Sequence, residues 1–320
     1  MKDEAFSSYM IKLSLLVFIF YAGCVPANQT RLTSLESEKN LVGCNHISTI
    51  KGNFSRLAGI AVDMERRIYV VDSGRSTVHV LDYEGNPIQS LGSFGWQKGE
   101  FDNPMDVCID SQLRLYIADN GNNRVQSYSL ASGDFRIIVG EKSSDSFSKS
   151  FALSGPMGLA TDTRGDIYIA DTWNHRILKT DILGRLLMES GGFGQFSKPQ
   201  SLVVGADKSI YVCDTGNSRI CKLDLSGRQI ARWGIEGAGK SQFRNPTGVS
   251  LDKFGNIYVV DQGNKRIQIF SPNGRYLLDF GDQHLSEPID IAIDNELRAY
   301  VTDVSENSIE VFKIIISEKS

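Results

Sequence analysis

From about residue 44 onward, apolar residues alternate with small or polar ones in short runs broken by Asp, Gly and Asn. A period of two, rich in β-branched and aromatic residues, predicts strands, and the clusters between the runs predict turns. One phrase recurs: an apolar strand ending in Asp, a few turn residues, then aliphatic-Tyr-aliphatic-x-Asp. It opens as Gly59-Ile60-Ala61-Val62-Asp63 followed by Ile68-Tyr69-Val70-Val71-Asp72. The Tyr and second Asp return at Tyr116 and Asp119, Tyr168 and Asp171, Tyr211 and Asp214, Tyr258 and Asp261, Tyr300 and Asp303. Successive second Asp residues are 47, 52, 43, 47 and 42 positions apart. Each copy reads as a four-stranded antiparallel unit of about 45 residues.

Such a unit has two sheet faces and cannot bury both alone, whereas six around an axis cover one another. The sixth copy holds only three predicted strands, near Ile289–Asp294, Arg298–Asp303 and Ser308–Ile315, before the chain ends. The segment His46-Ile47-Ser48-Thr49-Ile50-Lys51-Gly52 lies ahead of the first copy. It matches the outer strands of the others, such as Pro87-Ile88-Gln89-Ser90-Leu91-Gly92. It is therefore expected to supply the missing strand and close the ring.

The run Phe243-Arg244-Asn245-Pro246-Thr247-Gly248-Val249, continuing through Tyr258 and Asp261 to Asn264, Arg266 and Phe270, resembles an NHL repeat. Asn174-His175-Arg176-Ile177-Leu178 is close to the tripeptide that names that family. The resemblance spans roughly residues 45–315. It implies an all-β fold, a six-bladed β-propeller of four-stranded antiparallel blades closed by an N-terminal strand in blade six. Blades one and six depart most, with Thr77 and Ser308 where Arg is expected and Leu57 where Pro is expected.

Blades two to five share the frame Asp-x-x-Asn-x-Arg, as in Asp119/Asn122/Arg124, Asp171/Asn174/Arg176, Asp214/Asn217/Arg219 and Asp261/Asn264/Arg266. A residue repeated at every blade serves the repeat. These groups are expected to pair across a hairpin, with Asn or Gly at positive φ in the turn. The Tyr positions are expected to pack between blades. Departures from the repeat are the better functional candidates. Trp173 stands in a loop where other blades have Gly121, Gly216 or Gly263, and Phe94 and Trp96 stand in the loop leading into blade two. Antiparallel topology puts these loops on one face, and large aromatics at loop tips suit contact with a protein or cell-surface ligand. At the start of the innermost strands four blades have Gly59, Gly158, Ser201 and Gly248, but two have Asp106 and Asp290. Two carboxylates near a channel mouth are candidates for a cation such as Ca²⁺ or for a polar ligand group, or else solvated acids of a wet channel.

Leu13 to Val25 form an apolar run. As a helix it would rise about 20 Å, short of the roughly 30 Å hydrocarbon core of a bilayer, so it reads as the core of a signal peptide over residues 1–24. Initiation at Met10 would improve that signal, because Asp3 and Glu4 offset Lys2 and Lys12. Ala22-Gly23-Cys24 resembles the lipobox of bacterial lipoproteins, which implies a lipidated Cys24 and a membrane anchor, although Tyr21 stands where an aliphatic residue is usual. The alternative is a plain secretory signal. Residues 25–43 read as a polar tether and 44–320 as the propeller. Glu141–Ser150, with five serines, reads as a surface loop of unassigned function.

Composition narrows the chemistry. A net charge of −4 leaves no basic field for a nucleic-acid backbone, so no nucleic-acid partner is expected. Five cysteines are too few for a disulfide scaffold, and Cys44, Cys108, Cys213 and Cys221 fit either disulfides or small apolar packing. His46, His79, His175 and His284 show no metal-ligand spacing, and no nucleophile elbow or phosphate loop is present. The expectation is a non-catalytic, exported binding platform that needs no cofactor. The alternative is a metal-dependent lactonase-type hydrolase or a lyase at the channel mouth, as the resemblance to six-bladed enzymes would imply.

Overall fold

The computed structural model describes residues 40–140, 151–192 and 194–317. The expected signal peptide, Cys24, most of the tether and the loop at 141–150 lie outside the described residues. Six four-stranded antiparallel sheets follow one another along the chain. Blade one is Leu57–Val62, Ile68–Asp72, Thr77–Leu81 and Pro87–Leu91. Blade two is Pro104–Ile109, Arg114–Asp119, Arg124–Ser129 and Phe135–Val139. Blades three, four and five begin with the innermost strands Pro156–Thr161, Ser201–Val204 and Pro246–Leu251. Blade six takes Pro288–Ile293, Arg298–Asp303 and Ser308–Ser317 from the C-terminal end and Asn40–Lys51 from the N-terminal end.

That last pairing closes the ring as expected, in antiparallel register from Asn40 opposite Ser317 to Lys51 opposite Ser308. The closing strand is longer than the segment that predicted it. Residues 40–43, taken above as the end of the tether, are already part of the sheet.

The six buried Tyr residues explain how the blades hold together. Each lies in a different apolar cluster shared with the following blade: Tyr69 packs with Val107 and Ile117, Tyr116 with Leu159 and Ile169, and Tyr300 with Leu57 and Ile60. The core is therefore six interfaces arranged around an axis. In five blades the Tyr hydroxyl donates to the Asp six residues earlier, as from Tyr69 to Asp63 at 2.9 Å and from Tyr258 to Asp252 at 3.0 Å. In blade four Gly205 replaces that Asp, and Tyr211 donates to the Pro272 carbonyl instead.

The second Asp of each repeat is buried and accepts the backbone N–H of the residue 17 positions earlier, from Ser55, Asp102, Ser154, Ser197, Arg244 and Ser286 in turn. In blades two to five it also binds the Arg Nε at 2.6–2.9 Å, and the Asn amide beside it. The frame thus staples the second hairpin to the loop that leads into its own blade. Positive φ falls neither on the frame's Asn nor on a Gly, but on the residue between Asn and Arg: Asn123, His175, Ser218 and Lys265. A single left-handed residue is what tightens the turn and brings Asp and Arg into register.

Blades one and six have Thr77 and Ser308 at the Arg position. In blade one Arg75 Nε and His79 Nε2 lie 3.6 and 3.5 Å from Asp72, while in blade six His46, arriving on the closing strand, lies 2.7 Å from Glu310. Burial would raise the Asp72 carboxyl, but the bond to His79 and the amides of Arg56 and Ser55 outweigh it and hold it below its ordinary value.

Candidate functional site

The innermost strands converge on a ring of six residues, one per blade: Gly59, Asp106, Gly158, Ser201, Gly248 and Asp290. In five blades a register shift in the first residues of the innermost strand marks this level. Odd blades carry Gly and even blades carry a polar side chain that reaches the next blade's backbone. Asp106 Oδ2 accepts the Leu159 N–H at 2.7 Å, Ser201 Oγ accepts that of Val249 at 3.2 Å, and Asp290 Oδ2 accepts that of Ile60 at 3.0 Å. The glycines make room for this. A Cβ on Gly59 would lie 2.6 Å from the Asp106 Cα, one on Gly158 2.7 Å from the Ser201 Cα, and one on Gly248 2.8 Å from the Asp290 Cα. The ring is a threefold set of two-blade clamps.

This placement bears on what the two acids can do. Asp106 also accepts the N–H of Val107 at 2.7 Å, and Asp290 that of Ile291. Burial raises both carboxyls, Asp290 to about 7, against the opposing pull of those amides, and the charge of Asp290 raises Asp106 further. A Ca²⁺ ion needs six to eight oxygen ligands, most of them unengaged. Here the surrounding side chains are Met105, Met157, Gln200, Thr247 and Ile289, and the carboxylates are already bound to backbone amides. The donor set does not fit Ca²⁺. Among the described residues, no group of three or more His, Cys, Asp or Glu is placed to hold a metal.

Space argues the same way. The cavity above the ring is about 50 Å³, enough for little more than a water, whereas small-molecule sites run from roughly 300 to 1,000 Å³. Below the ring the channel widens to about 210 Å³, where Asp106, Ser201 and Asp290 share the wall with Ala61, Cys108, Ala160, Val203 and Ala292. Burial there pushes the Cys108 thiol up, out of the nucleophilic range. Cys44, Cys108, Cys213 and Cys221 are all free thiols.

The three aromatics are placed differently. Phe94, Trp96 and Trp173 are 70%, 75% and 53% exposed, all in loops on the face where the chain enters each blade. Trp173 rests on Gly155, where any Cβ would collide with its indole, and Lys198 Nζ sits 5.1 Å from its ring centroid. It therefore bridges the lead-in loops of blades three and four. Phe94 belongs to a two-residue strand, Ser93–Phe94, paired in parallel with Glu100–Phe101. Trp96 tops the same loop and lines a cavity of about 440 Å³ with Gln97, Lys98, Asn122, Arg124, Ile137 and Gly140. Trp173 is not among the residues of that cavity. The sequence marked the aromatics individually; it missed this cavity, whose walls come from three separated segments of blade two.

Fold and site together define a six-bladed β-propeller whose axis narrows at a ring of clamps and whose loop face exposes three large aromatics. The NHL repeat matches residues 101–128, 153–179, 196–223 and 243–270, which are blades two to five. The propeller therefore carries NHL repeats in four of its six blades. Blades one and six, where Arg is replaced, fall outside those matches. No curated protein matches the sequence. Among solved structures, the gluconolactonase XC5397 from Xanthomonas campestris shares 16% identity and a TM-score of 0.66 over 83% of this chain and 89% of its own. A catalytically inactive virginiamycin B lyase from Staphylococcus aureus with quinupristin shares 13% identity, with a TM-score of 0.59 over 85% and 99%. A protein of unknown function from Bacteroides thetaiotaomicron shares 18%, with a TM-score of 0.61 over 87% and 74%. These similarities establish the fold.

Proposed function

We propose that this chain is an exported, non-catalytic binding platform, held at a membrane through a lipidated Cys24, that engages a protein or cell-surface ligand through the loop face. The observation that carries this reading is the exposure of Phe94, Trp96 and Trp173 on loops whose backbones are held by buried ion pairs. An exposed aromatic on a rigid loop has little ordering entropy left to lose on binding. The apolar run at residues 13–25 and the sequence Ala22-Gly23-Cys24 support export and anchoring.

Capture of a partner by the purified chain tests the platform. Trp173→Ala and Trp96→Ala are expected to weaken capture by tenfold or more each; unchanged capture in both would remove the aromatics from the interface. Metabolic labelling with a palmitate analogue tests the anchor, with incorporation expected in the full chain and lost in Cys24→Ser.

A second reading is favoured by the fold shared with a lyase and a gluconolactonase and by the paired Asp106 and Asp290. It is a metal-dependent lactonase-type hydrolase or a lyase acting at the channel mouth. Elemental analysis separates the two: stoichiometric Ca or Zn, lost in Asp106→Ala or Asp290→Ala, would favour the enzyme. The engaged carboxylates and the 50 Å³ mouth weigh against it.

A further inference from the structure

We propose that the channel below the ring is a binding site for a primary alkylammonium. Its –NH₃⁺ group would sit on the axis against Asp106, Ser201 and Asp290, with its carbon stem along the wall beneath. This site is separate from the loop face and does not rest on the platform reading. The six innermost strands form its wall, and all of them lie within the described residues.

The ring has its polar side chains in blades two, four and six and glycine in blades one, three and five. Three acceptors thus stand at every second blade, a threefold set around the axis. An ammonium carries three N–H donors of the same symmetry on one compact charge, whereas the planar fork of a guanidinium does not match them. The clamps leave acceptor capacity for this. An ionised carboxylate offers about four lone-pair sites. Asp106 uses two of them on the N–H groups of Val107 and Leu159, and Asp290 uses two on those of Ile60 and Ile291. The Ser201 hydroxyl accepts from Val249 and keeps a second lone pair. What is too little for Ca²⁺ suffices for three N–H groups.

Charge and shape agree with that assignment. Burial disfavours the charge of both carboxyls, and the charge of Asp290 acts against that of Asp106. One cation between them offsets both penalties. The acids also border the 210 Å³ channel below the ring, so an ammonium reaches them from that side. Two residues below the ring the wall turns to short side chains, including Ala61, Ala160 and Ala292. The innermost strands end three residues below it, at Val62, Val204 and Ile293, which makes the channel about 10 Å deep. Such a space suits an unbranched stem of about four carbons, the length of a lysine side chain, and each methylene laid against the alanines leaves water.

The test titrates the full chain calorimetrically with n-butylammonium at pH 8. Methylammonium, which lacks the stem, and butyltrimethylammonium, which lacks the N–H donors, should each bind at least tenfold more weakly. Asp106→Asn/Asp290→Asn keeps an acceptor for each backbone amide and should lose butylammonium while still melting cooperatively. Ala160→Leu, which fills the channel below an intact ring, should also lose it. Binding should weaken at least fivefold from pH 8 to pH 6, because a proton returns to Asp290, whose carboxyl is raised to about 7, and must leave again for the cation. The other titratable side chains beside the ring, Cys108 and Cys213, stay protonated over this range because burial raises both thiols. A further probe, N-acetyl-lysine amide, separates two sources of the ammonium. Binding as tight as that of butylammonium assigns the site to a lysine of a protein, and tenfold weaker binding assigns it to a free alkylamine. Equal binding of butyltrimethylammonium, or unchanged binding in the double Asn variant, would overturn the site. So would the failure of butylammonium to bind the folded chain at millimolar concentration, or its displacement by equimolar Ca²⁺. In each of these cases partner capture through Trp173 is untouched, and the platform is judged separately.

Discussion

Asp290 and Asp106 are each held between two backbone amides at the narrowest level of the channel, and their protonation couples to folding. Both carboxyls sit above their ordinary values in the fold because burial disfavours their charge. The native state therefore binds more protons than the unfolded chain between about pH 4 and 7, so their contribution is complete at low pH and lost as pH rises. Asp290→Asn keeps an acceptor for the Ile60 amide and removes the charge. Its melting temperature should match the wild type near pH 4 and exceed it by at least about 2 °C at pH 8; an equal difference at both values would show that the Asp290 carboxyl does not titrate with folding. The buried Asp of the repeat leans on a different partner, the Arg of its own frame, beside a backbone amide and the frame's Asn. Arg219→Met leaves Asp214 fully buried without its cation, which should cost roughly 3–5 kcal/mol in a denaturant titration; a loss below about 1 kcal/mol would mean that the backbone amides alone carry the charge. Both Asp roles were only partly legible in sequence. The repetition showed that Asp214 and Arg219 serve the fold, but the acceptor role of Asp106 needs Leu159, 53 residues away in the next blade.

At the scale of the strand and the turn, local chemistry told most of the story. The period of two and the Tyr/Asp phrase located all six blades, because every blade repeats the buried Tyr and the second Asp, and all but blade four the first Asp as well. The position of positive φ did not follow from residue type, since Ser218 and Lys265 carry it under the pull of the Asp–Arg pair on either side. The alternation of Gly with Asp or Ser along the inner strands is a contact between blades and leaves no periodic trace within one. Its strength can be read from single methyl groups. Gly59→Ala drives a Cβ into the Asp106 backbone, whereas Gly43→Ala, at a position with nothing within 4 Å, does not. The first should lower the melting temperature by several degrees and the second should leave it unchanged; equal effects would deny the two-blade clamp. The closing strand is the other element on which the ring depends. Deletion of residues 40–51 strips the outer strand from Ser308–Ser317 and exposes the Ile50 contact with Leu57 and Ile309. A sharp, early unfolding transition is expected, and an unshifted midpoint would mean that three strands suffice in blade six.

For the whole molecule, the ring turns a weak repeat into a rigid display. Its axis narrows at a ring of polar clamps, and the larger cavities lie at the rim between loops. Length and pattern made the ring legible from sequence, because six unit-length repeats have few other ways to cover their faces. They could not show where the axis narrows, since that depends on which side chains meet across blades. In the proposed function the aromatic loops bind and the axial acids hold the blades, and one comparison divides the two roles. Retention of the tagged chain at the cell surface where it is proposed to act can be measured for Phe94→Ser/Trp96→Ser/Trp173→Ser and for Asp106→Asn/Asp290→Asn, each with Cys24→Ser to remove the proposed lipid anchor. The aromatic variant should be lost from the surface while the axial variant is retained like its parent; retention of the aromatic variant with loss of the axial one would contradict the platform.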